Sequence, residues 1–266
     1  MSAKMPKPQN DFAPARKMLV TIVKRLAHHA DVKSKLAEGR KRREKLDRPD
    51  FVWHELLGSF ATMGSSAGAK GLIHNKANYR RVKFEALKRK ATKSARLAEL
   101  RKVLRIAGVR WPEKKSDWLA ENFDLVTKLG GQRAARALLL ECDGREAMIA
   151  FWRQFKGLRT SEKYARNIMM DYYHPDFRNC IAVDARINGI SRALGLSFQT
   201  YEEEENFYLE VAKKAGLEGW ALDRMMYGFR DCAFDAIEDA EDLAAIRSRS
   251  SEKTIPWEEV KRKLRL

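Results

Sequence analysis

Apolar residues recur three and four positions apart along most of this chain, and this helical periodicity restricts its fold more than any other feature. The pattern is visible in residues 15–30, 52–63, 86–106, 118–129, 134–140 and 147–155. Further helical segments, separated by glycine or proline, cover residues 163–173, 183–194, 203–215 and 218–237. No stretch alternates apolar and polar residues as a half-buried strand does. The sequence therefore predicts an all-α fold whose many helices are joined by short turns.

The composition is typical of a folded protein with a sizeable core, since 44% of the 266 residues are hydrophobic. Only three cysteines are present, Cys142, Cys180 and Cys232, so the chain cannot form a disulfide framework or a four-thiolate cluster. This usage is typical of a reducing compartment. The opening residues lack the apolar core of a secretory signal, and no stretch approaches about 18 uninterrupted apolar residues. We expect a cytoplasmic protein without membrane contact, associated with the nucleoid if it is bacterial.

Positive charge is concentrated in the first two-fifths of the chain. Residues 1–110 hold 28 basic and 9 acidic side chains, whereas residues 111–266 hold 25 and 27. Such an excess favours a polyanionic partner whose affinity falls as salt rises. The run from Lys70 to Lys102 is a candidate surface for non-specific DNA contact, and it is equally typical of an ordinary helix whose lysines face water.

Changes in composition suggest three parts. We expect residues 1–50 to be a basic N-terminal helical extension that ends in the charged segment Gly39–Asp50. Residues 51–247 would form the core, with an internal boundary near Gly108–Asp117. Residues 248–266 read as a polar and then basic tail.

The most informative segment runs from Phe155 to Leu196 and predicts helix, tight turn, helix, loop, helix. Gly157 supplies a turn residue, and Leu158 can enter the core. Arg159 leads into a helix that Thr160 or Ser161 can cap. Free amides at such a helix start, together with an arginine, suit one phosphate of a nucleic acid backbone.

Two residues of this segment, Lys163 and Asp184, can supply chemistry together. Lys163 falls in the first turn of its helix, where the helix dipole disfavours a cation, and an amine nucleophile must be neutral. Asp184 follows an apolar run and fits a helix N-cap. Each has an ordinary alternative, a solvent-facing lysine and a plain cap. Brought together, an amine and a carboxylate match chemistry at the anomeric carbon of a sugar.

Here the chain resembles the helix-hairpin-helix DNA glycosylase superfamily, the relatives of endonuclease III and the 8-oxoguanine glycosylases. The hairpin corresponds to GLRTSEK, the lysine-bearing helix begins KYARNI, and the aspartate lies in AVDARI. VWHELLGSFATMGSSAGAKG resembles the helix that opens the six-helix barrel, and GWALDRMMYGF resembles the helix that closes the base pocket. The likeness spans roughly residues 51 to 238, although only the 155–196 block is specific by itself.

Two departures from the family pattern are visible. The hairpin lacks the family's second glycine, since Gly157 is followed by LRTSE. With three cysteines the chain cannot hold the iron–sulfur cluster of the endonuclease III branch. This points to the cluster-free branches, which include the 8-oxoguanine enzymes.

The resemblance implies two helical subdomains with an active site in the cleft between them. It also implies an enzyme that flips a damaged or modified base out of duplex DNA and cleaves its N-glycosidic bond. Lys163 would be the nucleophile and Schiff-base former of an associated abasic-site lyase, and Asp184 would help to activate the amine and stabilise charge on the sugar. An oxidised purine such as 8-oxoguanine is the leading substrate. A monomer is expected, without a cofactor, and the five histidines show no spacing typical of a metal site.

Other residues are candidates for the base pocket. Trp220, Asp223 and Tyr227 share one helix face and could wall a pocket by stacking and by a carboxylate acceptor. Core packing is the competing interpretation for the two aromatic residues. Ser65 and Ser66 lie where relatives insert a residue into the vacated base stack.

Two rival functions remain open at this point. A non-catalytic nucleic-acid-binding module would use the hairpin and the basic surface only to hold backbone, so it would bind without forming a covalent adduct. An RNA-associated factor dominated by the basic first 110 residues would prefer RNA to duplex DNA.

Overall fold

The computed structural model describes residues 12–159, 162–248 and 256–264, and no strand occurs among them. The all-α prediction is confirmed. The α-helices of the described residues are α1 Ala13–Ala27, α2 Ala30–Lys41, α3 Phe51–Thr62, α4 Ala67–Leu72, α5 Lys76–Val82, α6 Phe84–Lys88, α7 Lys93–Ile106, α8 Pro112–Lys128, α9 Gln132–Leu140, α10 Gly144–Arg153, α11 Glu162–Asp171, α12 Ala185–Ala193, α13 Tyr201–Ala215, α14 Gly219–Gly228, α15 Arg230–Ser248 and α16 Trp257–Leu264. Two 3₁₀ turns lie at Arg42–Asp47 and Pro175–Phe177.

Helix α3 lies at the centre of the fold. Nearly all of its residues are buried, as expected for a helix that is apolar on every side. It packs against α4, α8, α9 and α11. Trp53 lies edge-on to Phe84 and Phe123, and its indole nitrogen donates to the Val82 carbonyl oxygen at 2.9 Å. The loop that carries Ser65 and Ser66 follows directly after the end of α3 at Thr62.

The single helical pattern read over residues 86–106 is divided in the structure. Helix α6 ends at Lys88, and α7 begins only after Thr92. The hydroxyl of Thr92 accepts from the Ala95 amide at 3.1 Å and so caps a new helix. Periodicity continued across this break because both helices place apolar residues toward the same core.

The expected N-terminal extension, from residue 12 onward, is packed into the body of the fold. Its charge had suggested a part separate from the core, but α1 and α2 bury an apolar stripe that includes Leu19, Val23, Val32 and Leu36. Helix α1 packs on α13 and α15, and α2 packs on α14. Helix α2 also lines one of the two cavities described below.

The fold brings the informative segment of the sequence into the middle of the molecule. Helices α10 and α11 pack against each other across the predicted turn, and α12 packs against α14 and α15. An extended stretch at residues 180–184 leads into α12. In the described residues, no helix is both long and apolar enough to cross a membrane.

Candidate active site

Lys163 and Asp184 meet at the start of two helices. The Lys163 Nζ lies 3.7 Å from Asp184 Oδ2. The other carboxylate oxygen, Oδ1, accepts from the amides of Arg186 at 2.8 Å and Ile187 at 3.2 Å, which confirms the predicted N-cap. The two oxygens thus have separate roles, because Oδ1 fixes the carboxylate on α12 while Oδ2 faces the amine. The side chains of Lys163 and Asp184 are 35% and 16% exposed, so both can be reached from solvent.

The extended stretch before Asp184 is held by side chains from distant helices. The Ile181 amide donates to Glu205 at 3.1 Å, and the Ala182 amide donates to Asp223 Oδ1 at 2.8 Å. The next amide, of Val183, donates to the Tyr201 hydroxyl at 3.1 Å. Three successive backbone amides therefore donate to side chains of α13 and α14, and not to the backbone of a helix or a sheet. This arrangement fixes the position from which Asp184 starts its helix.

Glu205, which accepts from the Ile181 amide of this stretch, also belongs to a buried ion pair. The Arg166 guanidinium donates to both oxygens of Glu205 at 2.8 Å, and their side chains are 7% and 6% exposed. Arg166 lies three residues after Lys163 on α11. The pair therefore connects α11, which carries Lys163, to residues 180–184, which lead to Asp184.

Arg186 and Tyr227 form the outer wall next to Asp184. Arg186 Nη1 lies 3.7 Å from Asp184 Oδ2, and its guanidinium carbon lies 3.9 Å from the centre of the Tyr227 ring. Tyr227 is 54% exposed. It is therefore a surface aromatic beside the amine and carboxylate, and not a core residue. Sequence reasoning missed Arg186, which was visible only as the second residue after the cap.

The described part of the predicted hairpin, up to Arg159, is a turn that follows α10. Gly157 has φ +85, and a Cβ there would lie 2.6 Å from the Trp118 side chain and 2.9 Å from Phe60. Leu158 is fully buried, as predicted. Arg159 is exposed and donates to the Gln154 carbonyl oxygen at 3.4 Å. Thr160 and Ser161, the predicted caps, lie outside the described residues.

The basic run between Lys70 and Lys102 spans α4 to α7, and part of its charge is paired with acids. Arg81 donates to Glu99 at 2.7 Å. Lys93 donates to Asp124 at 2.6 Å. This portion of the run is a salt-bridged surface, which leaves less free positive charge than the composition had indicated.

A cleft of about 530 Å³, here called the outer cleft, opens at the amine and carboxylate. It brings together half of the predicted site residues, namely Ser65, Ser66, Lys163, Asp184, Asp223 and Tyr227. Asn167 and Arg230 also line it. Residues from four separate parts of the sequence therefore converge on one opening.

Trp220 does not lie beside Lys163 and Asp184, as a wall of a base pocket there would require. It is 1% exposed, its indole nitrogen donates to the Met170 carbonyl oxygen at 2.7 Å, and its ring packs edge-on against Tyr173. Trp220 does not line the outer cleft. The core interpretation of this residue is the correct one, although its ring borders a second cavity described below.

Asp223 lines the outer cleft but is 5% exposed. Burial raises its pKa to about 6, while the nearby Arg224 guanidinium opposes that rise. One oxygen accepts from Ala182, and the other lies 3.2 Å from Arg224 Nε. Both oxygens are thus engaged within the protein, so Asp223 orders the backbone before Asp184 as well as bordering the cleft.

The loop that carries Ser65 and Ser66 is held by three residues that the sequence reasoning missed. The Lys115 ammonium donates to the Met63 carbonyl oxygen at 2.7 Å, and burial lowers the pKa of this lysine to about 8. Arg110 donates to the Gly64 carbonyl oxygen at 3.1 Å and stacks on Trp111 at 4.3 Å. These contacts join residues about fifty positions apart, which helical periodicity does not reveal.

In the part of the chain that the structure describes, no group of three His, Cys, Asp or Glu side chains is arranged to hold a metal ion. Cys142, Cys180 and Cys232 are free thiols.

No protein family model, curated protein or solved structure matches the chain. The functional argument therefore depends on the residues of the site.

Proposed function

We propose that this protein is a DNA repair glycosylase with an associated abasic-site lyase activity. The observation that carries the proposal is the amine–carboxylate pair at the outer cleft. Lys163 Nζ is 3.7 Å from Asp184 Oδ2, and the second oxygen of the carboxylate is fixed by the cap of α12. A nucleophile needs a nearby acid or base whose own position is fixed, and the pair meets that requirement.

The arrangement of helices supports the helix-hairpin-helix fold as part of the same proposal. A tight glycine turn joins α10 to α11, and Lys163 follows in the first turn of α11. The amine thus lies within a few residues of the turn that would hold the DNA backbone. Lys163 also lines a groove of about 940 Å³ together with three arginines and three glutamates, so basic groups slightly outnumber acidic ones where a phosphate backbone would lie.

The proposed reaction begins when Asp184 accepts a proton from the Lys163 ammonium. The neutral amine forms a bond to C1′ of the flipped nucleotide while the N-glycosidic bond breaks; the electron pair of that bond leaves with the base, which takes up the proton held by Asp184. The C1′–O4′ bond then breaks as O4′ takes a proton from the attached amine, which opens the sugar ring and leaves a protonated imine between Lys163 and C1′. Loss of the C2′ proton to water then lets the C3′–oxygen bond break, and the phosphate leaves with that electron pair. Hydrolysis of the imine frees the amine.

Asp184 would also stabilise positive charge that develops on the sugar ring as the base departs. Its carboxylate is already oriented by two backbone amides, so no reorganisation is required when that charge appears. The substrate would be duplex DNA that contains a damaged or modified base, with an oxidised purine as the leading candidate. Damaged or mismatched bases are the least costly to flip from the stack, which provides a first level of selectivity.

Borohydride trapping tests the proposal directly. The full-length protein is incubated with duplex oligonucleotides that carry single base lesions or an abasic site, and the imine is reduced to a stable adduct. We expect an adduct with the wild type and none with Lys163→Gln. Lys213→Gln removes the same charge from an exposed position on α13 and should trap as the wild type does.

Asp184→Asn separates the two roles of the carboxylate. Asparagine is as good an N-cap as aspartate, so the variant should fold normally while losing the charge that faces Lys163. We expect a much slower reaction at unchanged stability. Tight, salt-sensitive DNA binding by the wild type without any adduct would overturn the lyase proposal and favour either a glycosylase that uses water or a binding module.

A further inference from the structure

A second cavity, here called the inner cavity, adjoins the outer cleft and has a volume of about 490 Å³. Thr62, Asn167 and Tyr227 line both spaces, so these three residues stand at the passage between them. Apolar side chains, among them Leu36, Met170, Trp220, Met225 and Phe229, share the lining with charged ones. Apolar and aromatic side chains combined with a small number of polar groups are typical of ligand sites, and they suit a planar ring.

Asn167 lies one helical turn after Lys163 on α11, so the two side chains share a face. The Arg224 Nη2 donates to Asn167 Oδ1 at 2.8 Å. A guanidinium has only donors, so the carboxamide must turn its oxygen toward Arg224. The amide nitrogen is then directed away from Arg224. Among the residues that the structure describes, Asn167 Nδ2 has no hydrogen-bond partner.

Arg224 is itself held in place by two acids. Its Nη1 donates to Asp171 Oδ1 at 2.5 Å, and its Nε lies 3.2 Å from Asp223 Oδ2. The side chain is 18% exposed. Because Arg224 is fixed, a flip of the Asn167 carboxamide would set its NH₂ group against the guanidinium. Asn167 therefore presents donors, and not an acceptor, to whatever enters from the outer cleft.

Charged groups of both signs line the inner cavity. Lys35 Nζ lies 4.6 Å from the centre of the Phe229 ring. The two acids of the lining have basic partners, since Glu38 Oε1 lies 3.9 Å from Arg42 Nη2 and Asp171 accepts from Arg224. The donor that these pairs leave at the passage is the Asn167 amide, which favours a base edge that offers carbonyl oxygens or ring nitrogens.

We infer that Asn167 is a specificity residue that donates a hydrogen bond to an acceptor atom of the flipped base, which lies in the inner cavity. This inference rests on the proposed glycosylase function. It assigns the substrate to bases that carry a carbonyl oxygen or an unprotonated ring nitrogen at the edge facing Asn167. A base with an amino group at that position would meet two donors, and the contact would be lost.

The test uses bases that differ only by an oxo or an amino group. Duplexes that contain hypoxanthine or adenine, and uracil or cytosine, are placed beside 8-oxoguanine and an abasic site. Excision is measured under single-turnover conditions for the wild type, Asn167→Asp and the control Asn179→Asp. Asn179 is exposed and lines neither cavity. We expect the wild type to excise oxo members of the panel in preference to their amino counterparts.

Asn167→Asp keeps the size of the side chain and its contact with Arg224, but it replaces the NH₂ donors by an oxygen and adds a negative charge. We expect base excision to fall at least about tenfold more than cleavage at the abasic site, because only excision uses the hydrogen bond to the base. The control should behave as the wild type in both assays.

Three results would overturn the inference. A parallel loss of excision and abasic-site cleavage would show that Asn167 only supports the fold. Unchanged excision, or a wild-type preference for amino members, would show that it does not read an acceptor. Failure of the wild type at the abasic site is a separate result, because it would overturn the proposed lyase whatever Asn167 does.

Discussion

The side chain of Asn122 bonds to both backbone groups of Lys156. Its Nδ2 donates to the Lys156 carbonyl oxygen at 3.0 Å, and its Oδ1 accepts from the Lys156 amide at 2.7 Å. Asn122 is 1% exposed on α8, and Lys156 immediately precedes the turn glycine of the hairpin. The hairpin is therefore attached to α8 by a fully satisfied amide pair, although the two residues are 34 positions apart.

We expect Asn122→Ala to lower the free energy of unfolding by about 2–4 kcal/mol, because both backbone groups of Lys156 lose their buried partner. Urea denaturation followed by circular dichroism measures the loss. Asn179→Ala, at an exposed position, should change stability by no more than about 0.5 kcal/mol. Equal stability of the two variants would show that the contact does not hold the hairpin.

A second prediction concerns the turn itself. Gly157→Ala adds a Cβ at a residue with φ +85, 2.6 Å from the Trp118 side chain, so it should destabilise the protein by about 2–4 kcal/mol. Gly58→Ala provides the matched control because no atom lies within 4 Å of its added Cβ. Gly58 is inside α3, where alanine should stabilise by up to about 1 kcal/mol.

Thermal unfolding of the two glycine variants separates the effects. The two substitutions add the same single methyl group, so opposite shifts in Tm can come only from the local backbone and its neighbours. A similar Tm for both variants would contradict the tight turn at Gly157. If the turn also holds phosphate, DNA affinity measured at low temperature should fall for Gly157→Ala alone.

Much of the local structure could be predicted from the sequence. Periodicity identified the helical class, and the cap at Asp184 followed from an aspartate placed before an amphipathic run. The position of Lys163 in the first turn of α11 followed in the same way. These features depend on residues within a few positions of one another, which is the range over which helix signals act.

The parts that were missed depend on contacts between distant residues. Arg224 and Asn167 are 57 positions apart, and no local pattern marks them as partners. The role of α1 and α2 was obscured for a different reason, since a high density of lysine and arginine concealed a narrow apolar stripe. The apolar residues of α2 pack against α14, and residues of these two helices line the inner cavity.

The buried pair of Arg166 and Glu205 gives a third prediction. Removing one partner leaves an uncompensated buried charge, so Arg166→Met should lose about 3–5 kcal/mol of stability. The double variant Arg166→Met/Glu205→Leu should be more stable than Arg166→Met, although the Ile181 amide loses its acceptor when Glu205 is replaced. A double-mutant cycle from urea midpoints measures the coupling.

An exposed pair serves as the comparison for that cycle. Lys93 donates to Asp124 at 2.6 Å, but the two side chains are 59% and 43% exposed. Its coupling should not exceed about 1 kcal/mol because solvent screens both charges. A coupling between Arg166 and Glu205 no larger than this would show that the buried pair does not fix the segment leading to Asp184.

The last prediction concerns Glu55, a buried carboxyl on α3 that accepts a hydrogen bond from the Tyr172 hydroxyl. Burial raises the pKa of Glu55 from 4.5 to about 8, and the bond from Tyr172 opposes that rise only in part. Between these values the folded protein keeps a proton that the unfolded chain has released. Stability should therefore fall as the pH rises from about 4.5 to about 8, by up to about 1.4 kcal/mol per pH unit from this group alone.

Glu55→Gln carries no titratable proton, so it should remove this component of the pH dependence. We expect the variant to be more stable than the wild type at pH 8 and to differ least from it near pH 5, in urea denaturation across that range. Glu141→Gln, at an exposed carboxylate, should retain the wild-type slope. Identical slopes for the wild type and Glu55→Gln would show that Glu55 titrates at its ordinary value, and that the core around α3 admits water.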